Sequence, residues 1–282
     1  MAYTTLVSAP DLFQHIEDSG WVIVDCRFSL ADKERGRRDY QEAHIPGAVY
    51  AHLDEDLSGL IIQGVTGRHP LPVIDKAIEK FSNWGIGTGV QVMAYDDTGG
   101  ALAAVRLWWM LRWLGHEAAA VLDGGWQEWQ RQGYPVRSGV ETRSRREFIS
   151  IPHPEKIVNA DQVDVMRKDP GYKVVDARTA DRYSGINETV DPVAGHIPGA
   201  INAPYMDNLT PAGLFRPADE LRQVYQSLLG DIPAQNTAFY CGSGVTSIHD
   251  ILAMVIAGMD EPPLYVGSWS EWITDPDRPI AP

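Results

Sequence analysis

The sequence predicts two α/β domains in tandem, each a parallel sheet with helices on both faces. Short β-branched and aromatic runs alternate with longer amphipathic segments, which is the pattern of a parallel sheet covered by helices. The same landmarks occur twice in the same order, which indicates a duplicated domain. The chain has 282 residues, enough for two ordinary domains. We therefore expect two α/β units of similar architecture rather than one large domain.

The duplication rests on paired motifs. Each half has an apolar strand ending in Asp-X-Arg, a His-Ile-Pro-Gly-Ala motif, a second apolar strand and a Trp-X-X-Trp motif. The matched positions are Asp25 and Asp176, Arg27 and Arg178, His44 and His196, Tyr95 and Tyr240, Trp126 and Trp269, and Trp129 and Trp272. Because these residues recur in both halves, we expect them to be structural: ion pairs, turns and packing.

Individual elements follow from the local patterns. In the first half we predict strands at 21–25, 91–95 and 119–122 and an amphipathic helix at 101–114. In the second half we predict strands at 173–176 and 237–240 and a helix at 248–257, with Gly258 as its C-terminal stop. We expect an N-terminal domain at 1–137, a linker at 138–154 and a C-terminal domain at 155–282.

Composition narrows the class of protein. Apolar residues make up 44% of the chain and charged residues 22%, as in globular proteins. The net charge of −14 argues against nucleic acid as a partner. No apolar run is long enough to span a membrane, and the first residues lack the pattern of a signal peptide, so we expect a cytoplasmic protein without a membrane partner. In that compartment Cys26 and Cys241 are expected to be free thiols.

The stretch with the clearest chemical character is Cys241-Gly-Ser-Gly-Val-Thr-Ser247. It lies between a predicted strand and a predicted helix, and Gly242 and Gly244 allow the backbone to curl tightly. A curled loop at a helix N-terminus directs several N–H groups toward one point, where an anion binds. A thiol at that point has its pKa lowered. We therefore predict that Cys241 is a nucleophilic thiolate in an anion-binding loop.

The first half has Asp96 at the position that matches Cys241. A carboxylate cannot form a persulfide, so we expect the first half to be catalytically silent. Cys26 matches Ala177, which indicates a buried structural cysteine rather than a second redox centre.

The chain resembles the tandem-domain rhodanese sulfurtransferases over essentially its whole length. The resemblance is carried by the Asp-Ala-Arg strand end, His-Ile-Pro-Gly-Ala, the cysteine loop and Gly-Ser-Trp-Ser-Glu-Trp272. The neutral loop Cys241-Gly-Ser-Gly-Val-Thr246 is similar to that of the 3-mercaptopyruvate sulfurtransferases. The resemblance implies that Cys241 takes a sulfane sulfur from a small donor as a persulfide. It then passes the sulfur to cyanide, a thiol or thioredoxin, without a cofactor.

The resemblance also implies roles for other residues. Ser243 would form a catalytic triad with His69 and Asp54, and Arg182 would bind the carboxylate of the donor. The sulfur would lie in the loop formed by Gly242, Gly244, Val245 and Thr246. None of the histidines and carboxylates has the spacing of metal ligands.

Two alternatives remain open at this stage, and a third is disfavoured. The family's second substrate arginine is missing from the loop 186–194, so thiosulfate remains a candidate donor beside mercaptopyruvate. The same thiolate would also serve a non-enzymatic persulfide relay. A tyrosine phosphatase needs an arginine six positions after the cysteine, where this chain has Ser247, so phosphate ester hydrolysis is disfavoured.

Overall fold

Two five-stranded parallel sheets form the framework of the protein, which is described for residues 2–282 in a computed structural model. The chain divides into two units. The first contains the residues up to Gly59, Pro72–His153 and Ala212–Leu214; the second contains Leu60–Leu71, Pro154–Pro211 and Phe215–Pro282. The segment 60–71, which lies inside the first repeat of the sequence, therefore belongs to the second unit. Most of the predicted linker, up to His153, belongs to the first unit.

In the first unit the strand order is β1-β5-β4-β2-β3, and every pair is parallel. The strands are β1 (Leu6–Val7), β2 (Trp21–Asp25), β3 (Val49–Tyr50), β4 (Gln91–Tyr95) and β5 (Ala119–Leu122). The helices are α1 (Ala9–Gln14), α2 (Arg35–Glu42), α3 (Leu53–Asp56), α4 (Ile74–Asn83), α5 (Ala103–Trp113) and α6 (Gly125–Arg131). All residues of β2 and β4 are buried, so both faces of the sheet are covered.

In the second unit the order β6-β10-β9-β7-β8 repeats that of the first. The strands are β6 (Ile157–Val158), β7 (Lys173–Asp176), β8 (Ile201–Asn202), β9 (Thr237–Tyr240) and β10 (Leu264–Tyr265). The helices are α7 (Ala160–Met166), α8 (Ala180–Tyr183), α9 (Ala218–Leu229), α10 (Ser247–Ile256) and α11 (Ser268–Trp272). Short 3-10 helices occur at Pro154–Lys156, Tyr205–Asn208 and Ala234–Asn236. Within residues 2–282, every helix is too short or too polar to cross a membrane.

The predicted fold class is confirmed, and so are the central elements. The strands at 21–25, 91–95, 119–122, 173–176 and 237–240 have the predicted bounds. The helix predicted at 248–257 is α10, and Gly258 follows with φ +71°, the left-handed angle of a helix stop. The helix predicted at 101–114 is α5, but it is not amphipathic, because all of its residues except Arg112 are buried. A helix buried on all sides carries apolar residues on every face.

A buried polar cluster explains the repeated motifs of the first half. Asp25 at the end of β2 forms an ion pair with Arg27, with 2.6 Å between Oδ2 and Nη2. The Tyr95 hydroxyl donates to the same carboxylate at 2.7 Å and accepts the backbone N–H of Ile45 at 3.2 Å. The Arg27 guanidinium also stacks 4.4 Å from the ring centre of Trp126. A buried ion pair needs this kind of additional bonding to be stable.

The second half repeats the cluster with the matched residues. Arg178 pairs with Asp176 at 2.7 Å and stacks 4.9 Å from the ring centre of Trp269. The Tyr240 hydroxyl accepts the N–H of Ile197 at 3.1 Å. The prediction that Arg178 forms an internal ion pair is therefore confirmed.

The remaining repeated residues also have structural roles. His44 stacks on Tyr40 and His196 stacks on Tyr183, and each imidazole Nδ1 bonds to the carbonyl of its stacking partner. Trp129 and Trp272 are fully buried. Cys26 is likewise fully buried and unpaired, and burial raises its pKa well above the ordinary value, as expected of an unreactive thiol.

In the first unit the carboxylate of Asp96 fills its own strand-to-helix loop. It accepts the backbone N–H groups of Thr98 and Gly100 at 2.9 Å, Leu102 at 3.1 Å and Ala104 at 3.3 Å. The side chain is fully buried, and burial raises its pKa although the N–H groups oppose this effect. The loop is thus an anion site whose anion is part of the chain.

We predict that Asp96→Ala lowers the free energy of unfolding by roughly 3–5 kcal/mol, because four buried N–H groups lose their acceptor. Asp97→Ala is the matched control. Its half-buried carboxylate forms an ion pair with the half-buried side chain of Arg35, so its loss is expected to be smaller, about 1 kcal/mol. Urea denaturation of both variants measures the difference. Equal losses would contradict the assigned role of Asp96.

Candidate active site

Cys241 follows β9 directly, where the chain turns toward α10, and its side chain is 2% exposed. Gly244 has φ +73°, and a Cβ there would lie 2.1 Å from the carbonyl oxygen of Val266. Gly242 has no positive φ, but a Cβ there would lie 2.9 Å from Nη2 of Arg68. Gly244 therefore needs glycine for its backbone conformation and its approach to Val266, whereas a Cβ on Gly242 would meet only the ends of flexible arginine side chains.

The loop lowers the pKa of the Cys241 thiol. Burial by itself raises the pKa, but hydrogen bonds donated to the sulfur outweigh it. The donors are the backbone N–H groups of Ser243, Val245 and Ser247. Thr246 immediately precedes α10, and its side chain makes no capping hydrogen bond. The environment favours the thiolate, which is the nucleophilic form of cysteine.

Ser268 fixes the start of this loop, and the sequence analysis did not single it out. Its Oγ accepts the backbone N–H of Cys241 at 3.1 Å and donates to the carbonyl of Tyr265 at 2.9 Å. Ser268 has φ +54°, and Gly125 at the matched position of the first half has φ +56°. That glycine was the signal in the sequence, because it marks a position that needs a left-handed backbone.

The N-terminus of α11 holds the backbone of the cysteine loop. The N–H of Trp269 donates to the carbonyl of Cys241 at 3.0 Å, and the N–H of Ser270 donates to the carbonyl of Gly242 at 2.9 Å. With these carbonyls bonded to α11, the N–H groups of the loop are free to face the sulfur. The Gly-Ser-Trp-Ser motif therefore positions the loop in addition to packing the Trp269 ring.

His69 and Ser243, which the resemblance pairs, lie within hydrogen-bonding distance in the second unit. Nδ1 of His69 is 2.7 Å from Oγ of Ser243. Both side chains are buried, with exposures of 4% and 7%. The pair can therefore move a proton between a hydroxyl of the cysteine loop and an imidazole.

The segment that carries His69 packs closely against the chain before α11. A Cβ on Gly67 would lie 2.5 Å from the carbonyl oxygen of Gly267, so only glycine allows this approach. The backbone N–H of Arg68 donates to Oγ of Ser270 at 3.0 Å. These contacts fix the position of the backbone next to His69.

Arg182, the predicted carboxylate-binding residue, extends from α8 toward the cysteine loop. Its Nη1 and Nη2 lie 3.6 and 3.5 Å from the point that a Cβ of Gly242 would occupy. Nε and Nη2 bond to Glu188, and Nη2 bonds to Asp191 at 3.1 Å.

Arg68 is a second cation at the same place, and the sequence analysis missed it. Its Nη2 lies 2.9 Å from the Cβ point of Gly242, and its Nη1 forms an ion pair with Asp191. The signal in the sequence that could have identified Arg68 was its position next to His69. Because the two arginines are more than a hundred residues apart in sequence, no local pattern could show that they converge.

The loop 186–194 has no arginine, and it contributes two buried carboxylates instead. Burial raises the pKa of Asp191, although Arg68 and Arg182 oppose this effect. For Glu188 burial also raises the pKa, but hydrogen bonds from Arg182 and from the N–H groups of Asp191 and Val190 outweigh it. Two guanidinium groups are thus held by two carboxylates beside the cysteine loop.

Asp54, the third predicted triad member, lies in α3 of the first unit. Its Oδ2 is 2.6 Å from Nζ of Lys33. Its assignment to a triad with His69 stays a prediction.

Glu34, His52 and Glu55 in the first unit bring possible metal ligands within 4.8 Å of one another. Both nitrogens of the imidazole are already in use. Nδ1 accepts the N–H groups of Asp54 and Glu55 at the start of α3, and Nε2 lies 3.1 Å from the carbonyl of Lys33. Since a carbonyl only accepts, Nε2 carries a proton, and His52 has no free lone pair for a metal.

Known proteins are similar to this chain over both of its halves. The rhodanese-like domain family matches residues 8–132 and 159–275. A Pseudomonas aeruginosa protein named "Probable 3-mercaptopyruvate sulfurtransferase" is 43% identical over 282 residues, covering 100% of this chain and 99% of its own length. The thiosulfate sulfurtransferase of Rattus norvegicus is 31% identical and covers 96% of this chain and 92% of its own length.

A solved structure shares the architecture of both units. The crystal structure of SseA from Escherichia coli, a 3-mercaptopyruvate sulfotransferase by its description, superposes with a TM-score of 0.82 at 31% identity. The match covers 95% of this chain and 100% of that one. The chain therefore belongs to the rhodanese family, with a rhodanese-like domain in each half.

Proposed function

We propose that this protein is a sulfurtransferase that moves a sulfane sulfur from 3-mercaptopyruvate, through a persulfide on Cys241, to a thiophilic acceptor. The observation that carries the proposal is the buried Cys241 sulfur, whose pKa is lowered by three backbone N–H groups of its own loop. These donors stabilise the attacking thiolate, and they suit the persulfide anion equally well.

In the first half-reaction the Cys241 thiolate attacks the sulfur of mercaptopyruvate. The carbon–sulfur bond breaks, and its electron pair leaves with the pyruvate enolate. The enolate then needs a proton, and the 2.7 Å contact between Ser243 and His69 supports these residues as its source. Asp54 as the group that orients His69 is part of the proposal.

The carboxylate of the donor would lie between Arg182 and Arg68. Guanidinium groups bind carboxylates through paired hydrogen bonds. Arg68 takes the place of the second arginine that the loop 186–194 lacks. Because Glu188 and Asp191 offset the two positive charges, a donor with one negative charge fits this site better than the thiosulfate dianion.

Thiosulfate is the second candidate donor, since the rat relative carries that name and a small oxyanion also suits two guanidinium groups. A third candidate is a persulfide relay that loads from a partner protein. In either case Cys241 would carry the sulfur. Cyanide, a thiol or thioredoxin as acceptor, and a cytoplasmic location, remain part of the proposal.

Incubation with mercaptopyruvate or thiosulfate, each offered separately, is expected to add the mass of one sulfur to the protein. Cys241→Ser abolishes this addition because the nucleophile is lost. Cys26→Ala is the matched control and retains it. Intact-protein mass spectrometry distinguishes the cases. A sulfur that is still added to Cys241→Ser would refute the mechanism, and faster turnover with thiosulfate than with mercaptopyruvate would refute the donor order.

Arg182→Ala and Arg68→Ala are each expected to raise the KM for mercaptopyruvate about tenfold, because each removes one charged hydrogen-bonding partner of the carboxylate. Arg216→Ala removes a surface guanidinium of the same unit, 40% exposed, and leaves the KM unchanged. Steady-state kinetics measure the three variants. An unchanged KM in either active-site variant would remove that arginine from the donor site.

Ser243→Ala is expected to lower kcat with mercaptopyruvate by about a hundredfold, because protonation of the enolate loses its donor. The released sulfite of thiosulfate needs no proton, so turnover with thiosulfate is expected to fall less than about threefold. The comparison of both donors on one variant provides its own control. An equal loss with both would indicate a structural role for Ser243.

A further inference from the structure

Asp191 lies in the loop after α8 and joins the two arginines of the proposed donor site. Its carboxylate is almost fully buried, with an exposure of 1%. Oδ1 forms an ion pair with Nη1 of Arg68, and Oδ2 accepts a hydrogen bond from Nη2 of Arg182 at 3.1 Å. One buried carboxylate therefore fixes the spacing of two guanidinium groups that come from different segments of the chain.

Each arginine keeps a second terminal nitrogen beside the cysteine loop. Nη1 of Arg182 and Nη2 of Arg68 lie 3.6 and 2.9 Å from the point that a Cβ of Gly242 would occupy. Neither nitrogen has an acceptor among the described residues, and Nε of Arg68 is buried without one. Buried donors without an acceptor usually have a specific reason to be kept. Asp191 thus binds one terminal nitrogen of each arginine and leaves the other for an anion next to Gly242.

We propose that Asp191 is a positioning residue that determines which donor charge the site accepts. It holds the two guanidinium groups so that one carboxylate can bind across them, and its own negative charge repels a second negative charge on the donor. The inference rests on the proposed donor site. It assigns the choice of mercaptopyruvate over the thiosulfate dianion to one residue.

The charges of the site explain why Asp191 discriminates between donors. The positive charges of Arg68 and Arg182 are balanced by Asp191 and Glu188 before any donor binds, and the two carboxylates are only 1% and 2% exposed. Because water and salt screen buried charges poorly, the charge of Asp191 acts strongly on an anion bound to the same arginines. This repulsion acts on one charge of a monoanion and on two charges of a dianion. A neutral side chain at position 191 is therefore expected to favour the dianion.

Glu188, the other carboxylate of the site, has a different role. Its Oε1 accepts the backbone N–H groups of Val190 and Asp191 at 2.9 Å, in addition to its bonds with Arg182. Its Oε2 lies 3.4 Å from Nη1 of Arg178, which belongs to the buried ion pair of the core. Glu188 therefore holds the loop that carries Asp191, and its replacement would disturb the backbone as well as the charge.

The first test compares Asp191→Asn with Asp191→Glu, and uses Asp164→Asn as a control. Asp191→Asn keeps the size of the side chain and removes its charge, whereas Asp191→Glu keeps the charge and changes the spacing of the arginines. Asp164 lies in α7 of the same unit and pairs with Arg167 and Lys168, so its replacement changes the net charge equally. Steady-state kinetics give the KM of each variant for both donors, and thermal unfolding shows whether each variant is folded.

In Asp191→Asn the ratio of the KM for mercaptopyruvate to the KM for thiosulfate is expected to rise about tenfold, because the dianion gains more from the lost negative charge. Asp191→Glu is expected to raise both KM values about threefold and to keep their ratio within about twofold, since only the spacing changes. Asp164→Asn is expected to leave both KM values unchanged. If Asp191→Asn raises both KM values by the same factor, Asp191 is merely structural and the inference is overturned.

A second measurement needs no sulfur transfer. Alkylation of Cys241 by uncharged iodoacetamide is followed with increasing pyruvate, a monoanion, or sulfate, a dianion. Pyruvate is expected to protect the wild type at about tenfold lower concentration than sulfate, and this difference is expected to disappear in Asp191→Asn. Equal protection of the wild type by both anions would overturn the inference even if the variant does not fold.

The outcomes separate this inference from the proposed function. If the wild type takes up no sulfur from either donor, the persulfide mechanism fails, and protection by the two anions still decides whether Asp191 selects the charge. If the wild type takes up sulfur but Asp191→Asn changes neither the KM ratio nor the protection, only the inference fails.

Discussion

The active site depends on one constraint: a negative charge is buried where mainly backbone N–H groups can solvate it. In the second unit that charge is the Cys241 thiolate, and in the first it is the carboxylate of Asp96. Both follow a central strand, and both need the loop carbonyls to be bonded elsewhere. The N–H groups of Trp126 and Trp269 do this, donating at 2.9 and 3.0 Å to the carbonyls of Asp96 and Cys241. The repeated tryptophan motif therefore belongs to the anion loop as much as to the core.

The chemistry of the site divides among residues with different constraints. The cysteine and its N–H donors come from one continuous loop, whose geometry serves any sulfur donor. The groups that we propose to bind the donor come from elsewhere. Arg68 and His69 lie in the segment 60–71, and Arg182 and its carboxylate partners lie in α8 and the loop after it. Ser243, which belongs to the cysteine loop, bonds to His69 of that segment.

Prediction from sequence succeeded where the physical signal was local. The strands β2, β4, β5, β7 and β9 and the helix α10 were found because hydrophobic periodicity reports burial directly. The prediction of an amphipathic α5 was wrong, because a helix buried on every side has no polar face to mark its period. Ser268 was missed because its role depends on a positive φ and on a hydrogen bond to the backbone. The identity of a serine in the sequence indicates neither of them.

The sequence by itself determined the fold class and the duplication, and it predicted the reactive cysteine and the silence of the first repeat. Each depends on residue identity and order: a thiol can form a persulfide, and an aspartate at the matched place cannot. Only the tertiary structure decided which distant side chains lie beside the cysteine loop. Chain packing brings Arg68 and Arg182 together next to Gly242, and it places the segment 60–71 in the second unit. Packing brings together groups whose separation in sequence carries no information about their distance.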